Sequence, residues 1–88
     1  MTTMLSVAQI FGSTLQRVRR QQGLTQKQLG RMTNTSHTFI GEMERGMKAP
    51  NLNLVVALAT RLRVSVEELV AGLTPARDER IAPPSTNN

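Results

Sequence analysis

Apolar residues recur along this chain in short bursts at helical spacing, separated by small and polar residues suited to ending one helix and starting the next. Over residues 9–22, Phe11, Leu15 and Val18 follow one another at intervals of four and three, which predicts one buried helix face. Gly23 ends it. Thr25 then has the character of an N-cap, with Gln28 three residues on to complete a capping box, and Leu29 turns inward on a helix running to Met32 or Thr33. A third helix is expected from His37 to about Arg45, with Ser36 as its N-cap, Ile40 and Met43 inward and Gly46 just past its end. Pro50 breaks the linker over residues 47–51. Residues 52–62, LNLVVALATRL, are almost wholly apolar apart from their ends, which predicts the central and most buried helix. Ser65 opens a short fifth helix, with Glu67 and Glu68 in its first turn, Leu69 and Val70 inward, and Gly72 closing it.

The stretch over residues 25–46 therefore reads as two short helices meeting at a tight turn. Leu29, Ile40 and Met43 close the wedge between them, Gly30 leaves room where the helices meet, and Asn34 supplies a residue that tolerates a left-handed backbone. This is the pattern of a helix-turn-helix, whose second helix lies in the major groove of DNA. Residues 9–73 form the expected domain. Residues 1–8 are expected to be a flexible N-terminal segment. Residues 74–88, TPARDERIAPPSTNN, carry three prolines and no periodic apolar set, so a disordered tail is expected there.

Composition narrows the function classes. A chain of 88 residues allows one small domain with a modest core, which leaves little room for a deep catalytic cleft. The absence of cysteine excludes disulfides and thiolate metal sites, and His37 as the sole histidine cannot build a metal site alone. No cofactor, metal or small-molecule ligand is implied. Phe11 and Phe39 are the only aromatics, so stacking on single-stranded nucleic acid is poorly supported. Acid–base or nucleophilic chemistry lacks a positioned pair or triad, which disfavours an enzyme. Neither a signal peptide nor a membrane span is visible, so the expected location is the cytoplasm. The net charge of +5 is unevenly placed. Residues 1–50 hold seven basic residues against two acids, whereas residues 51–88 balance four against four. A polyanion partner accounts for that asymmetry through counterion release, and a solvated, solubilising face accounts for it equally.

Five marks occur in order: F-G-x-x-L-x-x-V-R over residues 11–19, G-L-T-Q-x-Q-L over 23–29, S-x-x-F-I-x-x-M-E-R-G over 36–46, K-x-P-x-L-x-L over 48–54 and L-A-x-x-L-x-V-S-V-x-E-L over 58–69. Together they resemble the lambda repressor and Cro type of small regulators, the XRE family. The resemblance covers roughly residues 11–72. It implies an all-α, compact five-helix lambda-repressor-like domain, with the helix-turn-helix formed by helices two and three. Two positions depart from the family: Asn34 stands where Gly is usual, and Thr35 where an apolar residue is usual. Asn34 followed by Thr38, Phe39 and Ile40 is similar to the restriction-modification controller proteins.

By matching positions, the resemblance implies that His37, Thr38, Gly41 and Glu42 face the bases. His37 can donate to a guanine acceptor, Thr38 can offer its methyl to thymine, and Glu42 can accept from a cytosine amino group. Gly41 would let the backbone approach. Gln26, Arg45 and Lys48 are the candidates for phosphate, and Phe39 for a thymine methyl or a sugar. Structural alternatives stand beside these roles: His37 as an exposed residue of a first helical turn, Glu42 as a solvated acid, Phe39 as a core residue. Arg17, Arg20 and Lys27 read as solvated or as long-range contributors. Arg19 and Glu44 match a family ion pair that ties the first helix to the end of the third.

One module of this size reads few base pairs, so a homodimer on a palindromic site of double-stranded DNA is expected. Val64, Val66, Leu69, Val70 and Leu73 are its expected interface, the alternative being that they complete the core. An activator would add RNA polymerase as a partner, with Glu67 and Glu68 as the surface. The reading from another class is an antitoxin-type protein-binding module that also represses its own operon.

Overall fold

The computed structural model describes residues 5–73. Every regular element among them is helical: α1 (Val7–Gln21), α2 (Gln26–Met32), α3 (His37–Glu44), α4 (Leu52–Leu62), α5 (Val66–Leu69) and a final 3-10 turn (Ala71–Leu73). Each α-helix starts in the same way. Ser6, Thr25, Ser36, Asn51 and Ser65 hold extended backbone angles, and their side chains accept the amide of the residue three positions on. At α1 and α2 the bond is reciprocated by Gln9 and Gln28, completing two capping boxes.

Four of the helices also stop alike. Gly23, Asn34, Gly46 and Arg63 take positive φ angles of 70°, 55°, 76° and 58°. After each, the next amide reaches back to a carbonyl in the last helical turn: Leu24 to Arg19, Thr35 to Gly30, Met47 to Glu42 and Val64 to Ala59. This left-handed closure satisfies carbonyls that a helix end would otherwise leave bare.

The helices share one core. Phe11, Leu15 and Val18 come from α1, Leu29 from α2, Ile40 and Met43 from α3, Val55, Leu58, Ala59 and Leu62 from α4, and Leu69 from α5. α3 packs against both α1 and α2, α4 packs against α5, and the final turn returns to α1. The Gln22 side chain donates to the Leu62 carbonyl, tying the end of α1 to the end of α4.

Three expectations change. α1 begins at Val7 rather than Gln9, and the Ser6–Gln9 capping box supplies the start signal. α4 is not buried all round. Leu52 and Val56, one turn apart, are 75% and 49% exposed, because α4 lies at the edge of the bundle and meets the core along one face. Leu69 leaves the expected dimer surface, since it is fully buried in the core of its own chain. Val64, Val70 and Leu73 are half-buried against that core, and Val66 alone of the five is exposed. The expected tail over residues 74–88 lies outside the described residues.

Candidate nucleic-acid interface

The turn between α2 and α3 is set by backbone chemistry. Asn34 adopts the left-handed conformation, the Thr35 amide donates to the Gly30 carbonyl at 2.7 Å, and the Thr33 hydroxyl donates to the Leu29 carbonyl at 2.8 Å. A Cβ on Gly30 would lie 2.5 Å from the Thr35 carbonyl oxygen, so the turn folds back directly onto α2. Ser36 then caps α3, accepting from the Phe39 amide at 3.0 Å.

This start fixes which side of α3 faces out. Ile40 and Met43 are fully buried, while His37 and Thr38 are exposed in the first turn. Gly41 and Glu42 follow one turn later, Gly41 buried and Glu42 half-buried. Phe39 is half-buried against the core, a side chain shared between packing and surface. Arg45 and Lys48 are exposed beyond the helix end. Gln26, at the start of α2, reaches the same region. The position of a Cβ on Gly41 would be 3.3 Å from Gln26 Oε1 and 3.3 Å from Arg45 Nη1. The structure thus brings His37, Thr38, Gly41, Glu42, Gln26 and Arg45 onto one side of the α2–α3 unit.

Behind that side lies a buried ion pair. Arg19 Nε donates to Glu44 Oε2 at 2.5 Å and Arg19 Nη2 to Glu44 Oε1 at 2.9 Å, a two-pronged contact with both side chains nearly excluded from solvent. Arg19 Nη1 also donates to the Leu24 carbonyl at 2.7 Å, so one guanidinium joins α1, the α1–α2 loop and α3. Glu44 Oε1 further accepts from Gln26 Nε2 at 3.0 Å and Gln16 Nε2 at 3.4 Å. Burial pushes the Glu44 carboxyl up, but the hydrogen bonds from Arg19 and Gln26, the nearby Arg19 charge and the Gln16 bond outweigh it. They hold the carboxyl below its ordinary range. With the Glu44 charge paired to Arg19, Glu42 is the remaining acid of residues 1–50.

Two positions given no role from composition or spacing emerge here. Gly12 lies where α1 crosses the end of α3, and a Cβ on it would run into the carbonyl oxygens of Met43 and Glu44. Gln16 joins the Glu44 carboxylate from α1. The available signals were a glycine beside Phe11 in a helix interior, and a glutamine one position past Leu15.

No described helix is long and apolar enough to cross a membrane. A model of the helix-turn-helix family matches residues 15–69, more than half of the chain. The transcriptional regulator ClgR of Mycobacterium tuberculosis is 35% identical over 78 residues, covering 86% of this chain and 70% of that protein. Among solved structures, the restriction-modification controller protein C.AhdI of Aeromonas hydrophila superposes with a TM-score of 0.68 at 31% identity. That match covers 70% of this chain and 94% of the other. The P22 c2 repressor, solved in complex with a synthetic operator, gives 0.67 at 30% identity, covering 73% of this chain and 97% of its own. A family match spanning the α2–α3 unit, relatives named as regulators and the fold itself agree: the chain belongs to the helix-turn-helix family of the XRE type, and is a transcriptional regulator with a DNA-binding fold.

Proposed function

We propose that this protein binds a palindromic operator in double-stranded DNA as a homodimer, each copy reading one half-site through the start of α3. The observation that carries this reading is the division of α3. Its apolar residues and Glu44 are spent on the fold, while His37 and Thr38 stand exposed at its start beside Gly41 and Glu42. His37 and Thr38 meet base edges, and Glu42 takes a cytosine amino group. Arg45 and Lys48 meet phosphates, where charge sets affinity without reading sequence. Among regulators, a restriction-modification controller is the narrower reading, supported by the likeness to C.AhdI over 94% of that chain.

Selection of bound sites from random duplex DNA at fixed salt, repeated with variants, tests the reading. Wild type should enrich a two-fold symmetric site. His37→Ala and Thr38→Ala should each relax preference at particular base pairs by about 1–3 kcal/mol. Arg45→Ala should weaken all sequences alike and reduce the slope of log affinity against log salt by about one. Wild type that binds no duplex at low salt would overturn the proposal.

A further inference from the structure

We infer that Gln16, on α1, is a DNA-backbone contact that shares one phosphate with Gln26 and Arg45; the inference rests on the DNA-binding reading above. A carboxylate has only acceptor atoms, so each glutamine bonded to Glu44 must turn its nitrogen toward it. Gln16 Nε2 and Gln26 Nε2 both end on the same atom, Glu44 Oε1, at 3.4 and 3.0 Å. The two amide nitrogens are therefore neighbours, although they come from different helices. An amide nitrogen carries two N–H groups. One on each is used by Glu44, and the second on each remains to donate outward, since neither nitrogen has another hydrogen-bond partner among the described residues.

The third donor is Arg45. Its Nη1 and the Gln26 amide flank the same bare position at Gly41, within 3.3–3.5 Å of where a Cβ would stand. Both glutamines are half-buried rather than enclosed in the core. Gln26 stands between the other two, its nitrogen sharing Glu44 Oε1 with that of Gln16 and its amide beside the Arg45 guanidinium at Gly41, and such a row of N–H groups suits a tetrahedral anion with several acceptor oxygens. The negative charge nearest to them, on Glu44, is already compensated by Arg19. The arrangement also explains the crowding of three donors on one carboxylate oxygen. Glu44 is the post to which both amides are tethered, and Arg19 holds that post. Gln16 thereby brings α1 into contact with the same strand of DNA that α2 meets, fixing the orientation of the whole bundle and not of the α2–α3 unit alone.

The test replaces each backbone phosphate of the selected operator, one at a time, by an uncharged methylphosphonate. Affinity is measured for the full chain as wild type, Gln16→Ala and Gln26→Ala. At one phosphate in each half-site, the replacement should weaken wild type about tenfold and each variant less, about threefold, because one of the three donors to that phosphate is already gone. At all other phosphates the three profiles should run parallel. Gln16→Met, which keeps the side-chain length without the amide, should reproduce Gln16→Ala, and thermal unfolding verifies that both are folded. If the Gln16 variants are weakened at every phosphate in parallel with wild type, Gln16 serves only to support Glu44 and the inference fails. If wild type finds no duplex to bind, the DNA-binding reading fails first, and that result is distinct from a parallel profile.

Discussion

Arg63 ends α4 in a left-handed conformation that Gly23 and Gly46 adopt at no steric cost and that Asn34 adopts at a small one. The three stops made with Gly or Asn were legible from residue type. The fourth was not, because an arginine carries no local signal for positive φ; its conformation is imposed by the Val64 amide closing onto Ala59. Arg63→Gly should therefore raise stability by about 1 kcal/mol, read as a higher urea midpoint with an unchanged slope. No change or a loss would mean that the arginine stem contributes packing equal to the backbone strain.

The Arg19–Glu44 pair also belongs to the residue scale, and its pH behaviour follows from direction alone. Because the folded carboxyl titrates below its unfolded value of about 4.3, its contribution is present above that value and is lost as pH falls through the folded one. Arg19→Ala leaves a buried carboxylate without its cation and should cost roughly 3 kcal/mol at pH 7, a drop of about 12–24 °C in Tm for a domain of this size. As pH falls through the lowered folded value the difference from wild type should shrink, since protonated Glu44 no longer needs the partner. Denaturant titrations at pH 7 and pH 3.5 measure both parts, and a gap that widens in acid would contradict the assignment.

At the scale of elements, the α2–α3 unit follows from local rules: caps at Thr25 and Ser36, a left-handed Asn34, and apolar residues at Leu29, Ile40 and Met43. Its attachment to α1 does not. α1 and the end of α3 approach so closely at Gly12 that no Cβ fits between them. That contact sets the position of α3 relative to α1, and with it the distance over which Gln16 and Arg19 reach Glu44. Gly12→Ala should improve the helix propensity of α1 and still destabilise the protein by about 1–3 kcal/mol through overpacking against backbone. Thermal unfolding decides between the two opposing effects. A stabilised variant would show that the helices can separate without loss. The early start of α1 has a local cause, the Ser6–Gln9 capping box, which the sparse apolar pattern before Phe11 obscured.

For the whole molecule, the proposed homodimer needs a surface that joins two copies. Leu69 is occupied by the core, and the large apolar residues exposed among the described residues are Val66 on α5, Leu52 and Val56 on α4, Val7 on α1, and Leu5 and Met47 outside the helices. An apolar cleft of about 150 Å³ lies between Val7, Phe11, Pro50, Val55, Val70 and Leu73. These positions offer apolar area on elements other than the exposed start of α3, which a DNA-bound dimer requires. Val66→Asp should leave the monomer folded, because the side chain is exposed, and should weaken self-association at least tenfold in sedimentation velocity. An unaltered sedimentation profile would move the interface away from α5.

Local pattern was enough for the five-helix order, the caps at Thr25, Ser36 and Ser65, most of the helix stops, the inward residues of α2 and α3, and the exposed start of α3. Each of these depends on backbone preferences or helical periodicity within a few residues, and both are written along the chain. The tertiary structure decided the rest. It placed α4 at the bundle edge and so exposed Leu52 and Val56, drew Leu69 inward, imposed a left-handed arginine, pressed α1 onto α3 at Gly12, and gathered Gln16, Arg19 and Gln26 onto Glu44. Those outcomes depend on how helices far apart in the chain cross one another. Crossing geometry follows from the combined shapes of several faces, and no single stretch of sequence specifies it.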